Sequence, residues 1–496
     1  MFVTMNDLEK HFDRFRKNII GIDDYFSGPY GRKKIIYSDW TASGRLYQKI
    51  EDVLQNQIFP FVANTHTDTN TTGATTNYAF ERALEIIKDE VNANENDVII
   101  SAGAGMTMLV SKFQRILGLK VHEKFKSKLK IRERPIVFVT HMEHHSNQTS
   151  WIETIADVVV IPQNKFGNVD LEALVKLLSD YSHRQVKIAA ITSCSNVTGI
   201  FTPYHMIAKI MHNNGGVCFV DFACSAPYID IDMHPEDLDE RLDAIYFSPH
   251  KFLGGPGSSG VLIFNKELYQ NNVPDNPGGG TVDWTNAWGE HKYVDDVQQR
   301  EDGGTPAFLQ TIKTALCFRL KKEMGINKIL QRDEEIKKIA WKIFDNEPNI
   351  NVLANDLRDR LPIFSFYIDG LHYNLAVQIL NDRFCIQTRG GCSCAGTYGH
   401  LLLNVDKTKS KHITKNIEEG NLSLKPGWIR LSFHPTMLNE EVMYVMNSIS
   451  ALAQNFNEWS KDYTYVSKTN EFEYIAENHS CKNKKRAESW FELSLI

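Results

Sequence analysis

Cysteine is scarce in this chain. Eight residues in 496 are too few and too scattered for a disulfide framework, so a reducing, cytoplasmic setting is the expectation. No run approaches the roughly 18 consecutive apolar residues that a membrane span requires, which argues against a membrane partner. The opening MFVTMNDLEKHFDRFRKN mixes acids and bases without an apolar core and does not read as a secretion signal. A basic surplus is lacking too: 55 Lys and Arg face 61 Asp and Glu, a net charge of −6, which argues against a nucleic-acid partner. Internal repeats and low-complexity blocks are missing. What is present is the composition of a globular protein, 42% hydrophobic and 23% charged, with length for two or three domains around a large core.

Between about 95 and 265, short apolar runs alternate with helical patterns. The runs are IVFV (136–139), VVVI (158–161), IAAIT (188–192), VCFVDF (217–222), AIYF (244–247) and GVLIF (260–264). LEALVKLL (171–178) and YHMIAKIMH (204–212) lie between them with helical periodicity. Runs without strict alternation predict strands buried on both faces, hence an α/β domain with a mostly parallel sheet and ligands at the strands' carboxyl ends. A second rhythm follows. Thr305-Pro306 predicts the cap and first residue of a helix that Gly325 closes. Strands over IFSFYI (363–368), FCIQT (384–388) and WIRLSF (428–433), a helix over AVQIL (376–380), a polar insertion at 404–426 and a helix from about Asn439 predict a smaller α+β domain. The expected division is a large domain over 46–315, a small domain from 1–45 and 316–465, and a polar tail over 466–496 whose KNKKR run reads as solvated charge.

AIYFSPHKFLGGPGSSGVLIF puts Ser248, His250 and Lys251 between two strands. Alone, that is a polar turn with a surface lysine. VCFVDF, however, ends a strand on Asp221 in an apolar setting, and VIISAGAGMTMLVSKF (98–113) runs strand, glycine-rich turn, helix. Such a turn aims backbone N–H groups and a helix N-terminus at an anion, although it is neither a P-loop nor a dinucleotide fingerprint. A phosphate cradle, a strand-end carboxylate and a strand-end lysine together suit pyridoxal 5′-phosphate.

With these elements in order, the chain from about 35 to 453 resembles the class V aminotransferase group of pyridoxal-phosphate enzymes, nearest the SUF-type cysteine desulfurases and selenocysteine lyases. The resemblance implies fold type I and rests on particular segments. YSDWTASG (37–44) is similar to the family's opening strand and turn. MEHHSNQTSW (142–151) is similar to its EHHAN segment, which implies His144 stacked on the cofactor ring and brings Asn147 forward as a substrate contact. SCSNVTGI implies Asn196 at the ring hydroxyl, VDFACSAP implies Asp221 at the pyridine nitrogen, and SPHK implies Lys251 as the Schiff-base lysine with Ser248 and His250 on the phosphate. REDGGTP (300–306) implies that Thr305 reaches a neighbouring subunit's phosphate, hence a homodimer. WIRLSF implies Arg430 on the substrate carboxylate, with Arg389 as a second cation. Two departures stand out. Cys224 replaces the family's glutamine, and Ala104, Gly105 and Met106 stand where hydroxyl and acidic residues are usual, leaving backbone donors and Thr107 for the phosphate.

RGGCSCAG (389–396) then becomes readable. A lone CxC is a poor zinc signal and a strained disulfide, and His141 with His144 and His145 forms no established ligand rhythm, so no metal is expected. Alignment with the desulfurase R-x-G-x-x-C-A implies Cys394, not Cys392, as nucleophile; a glycine-flanked, arginine-adjacent loop favours a thiolate and lets it move. The implied reaction takes the sulfur of L-cysteine onto Cys394, leaving alanine and a persulfide for a sulfur-acceptor protein. Other class V chemistry (transamination, epimerisation or β-elimination) and a low-turnover sulfur-relay protein stay open. The polar run ANTHTDTNTTG (63–73) reads equally as a substrate contact or a solvent loop.

Overall fold

A computed structural model describes residues 5–65, 67–476 and 479–492. Its centre is a seven-stranded sheet of β1 (Asp97–Ala102), β2 (Ile136–Thr140), β3 (Asp157–Ile161), β4 (Lys187–Thr192), β5 (Val217–Asp221), β6 (Ala244–Phe247) and β7 (Gly260–Asn265). The order is β1-β7-β6-β5-β4-β2-β3. β7 runs antiparallel to both neighbours while the pairs from β6 to β3 are parallel. The apolar runs explain this placement. Successive residues serve opposite faces, so Ile136 and Phe138 enter one core and Val137 and Val139 the other, all fully buried. One of those cores packs helix α1 (Met106–Ile116) through Leu109, Val110 and Phe113.

A smaller antiparallel sheet holds β8 (Ile350–Val352), β9 (Ile363–Ile368), β10 (Arg389–Gly391) and β11 (Trp428–Ser432) in the order β8-β9-β11-β10. Helices α4 (Tyr373–Phe384) and α5 (Asn439–Trp459) belong to this half; α2 (His145–Ile152) and α3 (Phe308–Met324) belong to the large sheet's half. The N-terminal helix Asp7–Arg16 is tied to α5, Arg16 pairing with Glu441 at 2.6 Å and Glu9 accepting the Asn439 amide at 2.7 Å. Downstream of it, Ile36–Tyr37 pairs in parallel with Ile386–Gln387.

Several elements depart from expectation. α3 begins at Phe308, not at Pro306, because the Phe308 amide bonds back to the Pro306 carbonyl at 2.8 Å and closes a non-helical turn; Thr305 is exposed and caps nothing. The FCIQT stretch divides, since Cys385 adopts a left-handed conformation (φ 56°) that ends α4 before the short strand. The polar insertion contains a helix, Lys407–Glu418, and the run 63–73 contributes the start of helix Thr71–Asp89, capped by Asn70; His66 lies outside the described residues. The proposed tail boundary cuts through a hairpin of β12 (Tyr463–Val466) and β13 (Glu471–Tyr474). At its tip Asn470 is buried in a left-handed conformation, donates to Tyr373 Oη at 2.8 Å and accepts from Asn374 Nδ2 through its carbonyl at 2.5 Å.

Candidate active site

A cavity of about 240 Å³ opens at the carboxyl ends of β4, β5 and β6, beside the start of α1. Lys251 reaches it from a single tight turn, Pro249–Lys251, that follows β6. Two glycines make that turn possible. A Cβ at Gly255 would lie 1.9 Å from the Pro249 carbonyl oxygen, and one at Gly44 would lie 1.9 Å from that of Phe252. Gly44 also donates its N–H to the His250 carbonyl at 2.9 Å, so YSDWTASG lies directly on the lysine turn. Burial pushes the Lys251 ammonium below its ordinary pKa, against the upward pull of Cys224 and Asp221. Asp221 ends β5, fully enclosed; its Oδ1 accepts the Ala223 N–H at 2.8 Å, and burial raises its pKa to about 6 against that bond and Lys251.

His144 caps α2, its Nδ1 accepting the Ser146 N–H at 3.1 Å, which leaves any proton of the neutral ring on Nε2. Burial, aided by Lys251, pushes its pKa down to about 4. Below it lies Glu143, which accepts from Thr140 Oγ1 (2.6 Å), Asn147 Nδ2 (2.8 Å) and the Thr192 N–H (2.9 Å) and is raised to about 8 by burial. Asn147 is therefore not a substrate contact. It is fully buried, it does not line the cavity, and its Oδ1 is occupied by Trp151 Nε1 at 3.2 Å and Tyr246 Oη at 2.5 Å.

The glycine turn and the start of α1 border the cavity. α1 starts after Gly105 with no side-chain cap, which leaves amides and the positive end of the helix dipole facing outward. Ser248 Oγ accepts the Met106 N–H at 3.0 Å, and Thr107 Oγ1 meets Ser146 Oγ at 2.7 Å. His250 is pushed down to about 4 by burial and Lys251. Met106, Thr107, Ser248 and His250 line the cavity. Ala104 and Gly105 form the turn before it, with Ser248 Oγ only 3.2 Å from a Cβ built on Gly105. Thr305 lies outside this chain's cavity.

Arg430 and Arg389 both line the cavity and share one carboxylate: Arg430 Nη2 lies 2.9 Å from Asp39 Oδ1, and Arg389 Nε lies 3.0 Å from Oδ2. Arg430 also donates to the Asn196 carbonyl at 3.2 Å. Two guanidiniums against one carboxylate leave a net positive charge for an anionic group. Among the described residues, three buried polar atoms of lining residues have no partner: Asn196 Oδ1, Thr41 Oγ1 and Arg430 Nε. Such orphans are costly, and a ligand carrying a hydroxyl and a carboxylate would meet them. The residues present thus fit pyridoxal phosphate and an amino acid.

The CxC loop closes one side. Cys394 is exposed and lines the cavity, whereas Cys392 is half-buried against the core. Ser393 and Cys394 both have positive φ (50° and 56°), and the large half holds the loop through Asn196 Nδ2, which donates to the Ser393 carbonyl at 2.8 Å. Cys194 and Cys224 line the cavity too, each thiol directed at the Ser195 carbonyl at 3.8 and 3.7 Å. Asp39, Thr41 and Cys194 received no role from sequence, although YSDWTASG and SCSNVTGI carry them. Cys194, Cys218, Cys224, Cys317, Cys385, Cys392 and Cys394 are free thiols, and among the described residues no helix is long and apolar enough to cross a membrane.

Against known proteins, the aminotransferase class-V family profile matches residues 36–445. A probable cysteine desulfurase of Staphylococcus epidermidis is 28% identical over 368 residues, 73% of this chain and 84% of that protein. One of Staphylococcus aureus is 26% identical over the same shares. The structure of a cysteine desulfurase from Thermococcus onnurineus superposes with TM-score 0.70 at 20% identity, covering 91% of this chain and 99% of the other. One from Escherichia coli gives 0.68 at 21% identity, covering 90% and 98%. These structures share the fold, and the fold class read from the sequence holds.

Proposed function

The chain belongs to the aminotransferase class-V family, and from that premise we propose that it is a pyridoxal-phosphate-dependent cysteine desulfurase, forming alanine and a persulfide on Cys394 from L-cysteine. The carrying observation is that Lys251, Asp221 and Cys394 line one cavity with two arginines. Bound there, pyridoxal phosphate supplies an aldehyde for amine attachment and a ring that stores the electron pair freed at the substrate α-carbon. Asp221 holds the ring nitrogen's proton, His144 covers the ring face, Asn196 meets its hydroxyl, and Met106, Thr107, Ser248 and His250 hold the phosphate. Lys251, whose burial favours the neutral amine, carries the cofactor and then takes the α-proton. Arg430, with Arg389, binds the substrate carboxylate. The Cys394 thiolate attacks the substrate sulfur; the Cβ–S bond breaks, its electron pair stays with carbon, and a proton completes alanine. The exposure of Cys394 suits transfer to an acceptor thiol, and the relatives named probable cysteine desulfurase support the substrate. We place the protein in the cytoplasm as a homodimer in which Thr305 completes the partner's phosphate site.

The test is product analysis with L-cysteine. Without reductant, alanine with a persulfide mapped to Cys394 is expected, and with an added dithiol as the two-electron reductant, alanine and sulfide in equal amounts; keto-acid production, racemisation or turnover independent of Cys394 would move the protein to other class V chemistry. For the dimer, Thr305→Ala mixed with Lys251→Ala should yield hybrids with one repaired site. A fully active monomer in sedimentation removes that part.

A further inference from the structure

His145 follows His144 at the start of α2 but does not line the catalytic cavity. It nevertheless touches the cysteine loop twice. Its amide N–H donates to the Cys394 carbonyl at 2.8 Å, and its ring Nε2 accepts the Gly396 N–H at 2.8 Å. These bonds bracket the nucleophile from the large half of the molecule. Between them, Ala395 is fully buried and donates to the Cys392 carbonyl at 3.0 Å. The fit leaves little slack, since a Cβ at Gly396 would come within 3.1 Å of Nε2. Ser393 and Cys394 both hold left-handed backbone conformations without being glycine, which L side chains disfavour. The loop therefore depends on partners outside itself.

We propose that His145 is a positioning residue: a two-point clasp from α2 that fixes the backbone around Cys394 and so aims its sulfur into the cavity. This rests on Cys394 being the nucleophile. The clasp has a chemical requirement, because only a neutral ring with its proton on Nδ1 can accept the Gly396 N–H; a protonated ring sets N–H against N–H. Burial holds His145 below its ordinary pKa. The titratable groups around it are His144 on its own helix, His141 and His400 across the adjoining groove, and Cys394 on the loop; no Asp, Glu, Lys or Arg lines that groove among the described residues. When the ring lets go, the loop keeps the His145 amide bond to Cys394 and the Asn196 bond to Ser393, and His400 Nδ1 contacts the Gly396 carbonyl within the loop's own helix at 2.8 Å.

The experiment compares the full-length, cofactor-loaded wild type with His145→Ala and His145→Gln, whose side-chain oxygen can replace the Nε2 acceptor. Amide exchange of the peptide covering 393–397, persulfide formation on Cys394 and the L-cysteine-induced change in cofactor absorbance are each measured. Loss of one neutral hydrogen bond predicts roughly tenfold faster loop exchange and roughly tenfold slower persulfide formation in His145→Ala. The absorbance midpoint should stay within about twofold, and His145→Gln should recover most of both losses. Wild-type loop exchange, corrected for intrinsic rates, should also quicken as the pH falls below the ordinary histidine range, and that response should vanish in His145→Gln. Wild-type exchange and persulfide rates in His145→Ala, or a Gln variant as impaired as Ala, overturn the clasp. If the wild type itself forms no persulfide, the desulfurase reading fails instead, and loop exchange alone still decides on the clasp.

Discussion

Lys251 sits on a turn whose neighbours leave no room for a methyl group at Gly44 or Gly255, whereas Cys394 sits on an exposed loop held by hydrogen bonds from Asn196 and His145. One half of the chemistry is set by packing and the other by a few polar contacts. Packing tolerates no displacement; single hydrogen bonds of about 1 kcal/mol break and reform readily. The roles proposed above call for such a difference. The cofactor's anchor has to stay still, and a sulfur carrier has to reach inward and then outward.

The comparison breaks most completely at Lys251. Lys251→Ala should lose covalent cofactor attachment and turnover by several orders of magnitude; borohydride reduction and peptide mapping check it, and a pyridoxyl group on another lysine refutes the assignment. Cys394→Ser should abolish the persulfide yet keep the substrate-induced absorbance change, while Cys392→Ser keeps most activity; label confined to Cys392 after one turnover reverses the alignment. Gly44→Ala should cost about 1–3 kcal/mol from overpacking against backbone, seen as a lower melting temperature with faster cofactor loss. Acid sharpens the contrast further. Burial pushes His434 down to about 3 and His141 to about 4, against an ordinary 6.5. Both are neutral when folded and take a proton when unfolded, so their contribution is complete above pH 6.5. It is lost as pH falls from there toward 4 and 3, by about 1.4 kcal/mol per pH unit for each. Melts at pH 7.5 and 5 measure this, and an unchanged midpoint excludes it. In Ser393→Gly, relief of the left-handed conformation and added unfolded-state entropy, each about 1 kcal/mol, oppose one another. What remains is the buried Trp428 Nε1, which loses its Ser393 Oγ acceptor at 3.2 Å, so the melting temperature should fall by the cost of one unsatisfied donor, about 1–3 kcal/mol.

The large sheet was legible because its signal is local. Ile136 to Val139 or Ala244 to Phe247 can only be strands buried on both sides, and a glycine turn before MTMLVSKF announces a helix start. Lys251, Asp221 and the glycine turn directly follow or precede such runs, so their place at strand and helix ends could be read from neighbouring residues. Residues whose surroundings are assembled from distant segments were harder. Asn147 lies beside two histidines in sequence, yet Glu143, Trp151 and Tyr246 claim its amide from beneath. Thr305-Pro306 is a good cap by composition, but the Phe308 amide turns back onto Pro306. The left-handed turn at Asn470 and its bond to Tyr373 join residues 97 positions apart; a solvated tail was the natural reading of so short an alternation. Asp39 and Thr41 sat in a quoted segment without a role, because their partners lie on β11, 391 residues later.

Asp39 carries a further consequence. By holding Arg430 and Arg389 with one oxygen each, it settles the orientation of both side chains when the polypeptide folds. Long, flexible cations ordinarily surrender rotational freedom at the moment of capture, at about 0.5–1.5 kcal/mol for each immobilised side chain. Under the function proposed above, that entropy is already gone before a substrate carboxylate arrives, so capture there would begin from cations already in place.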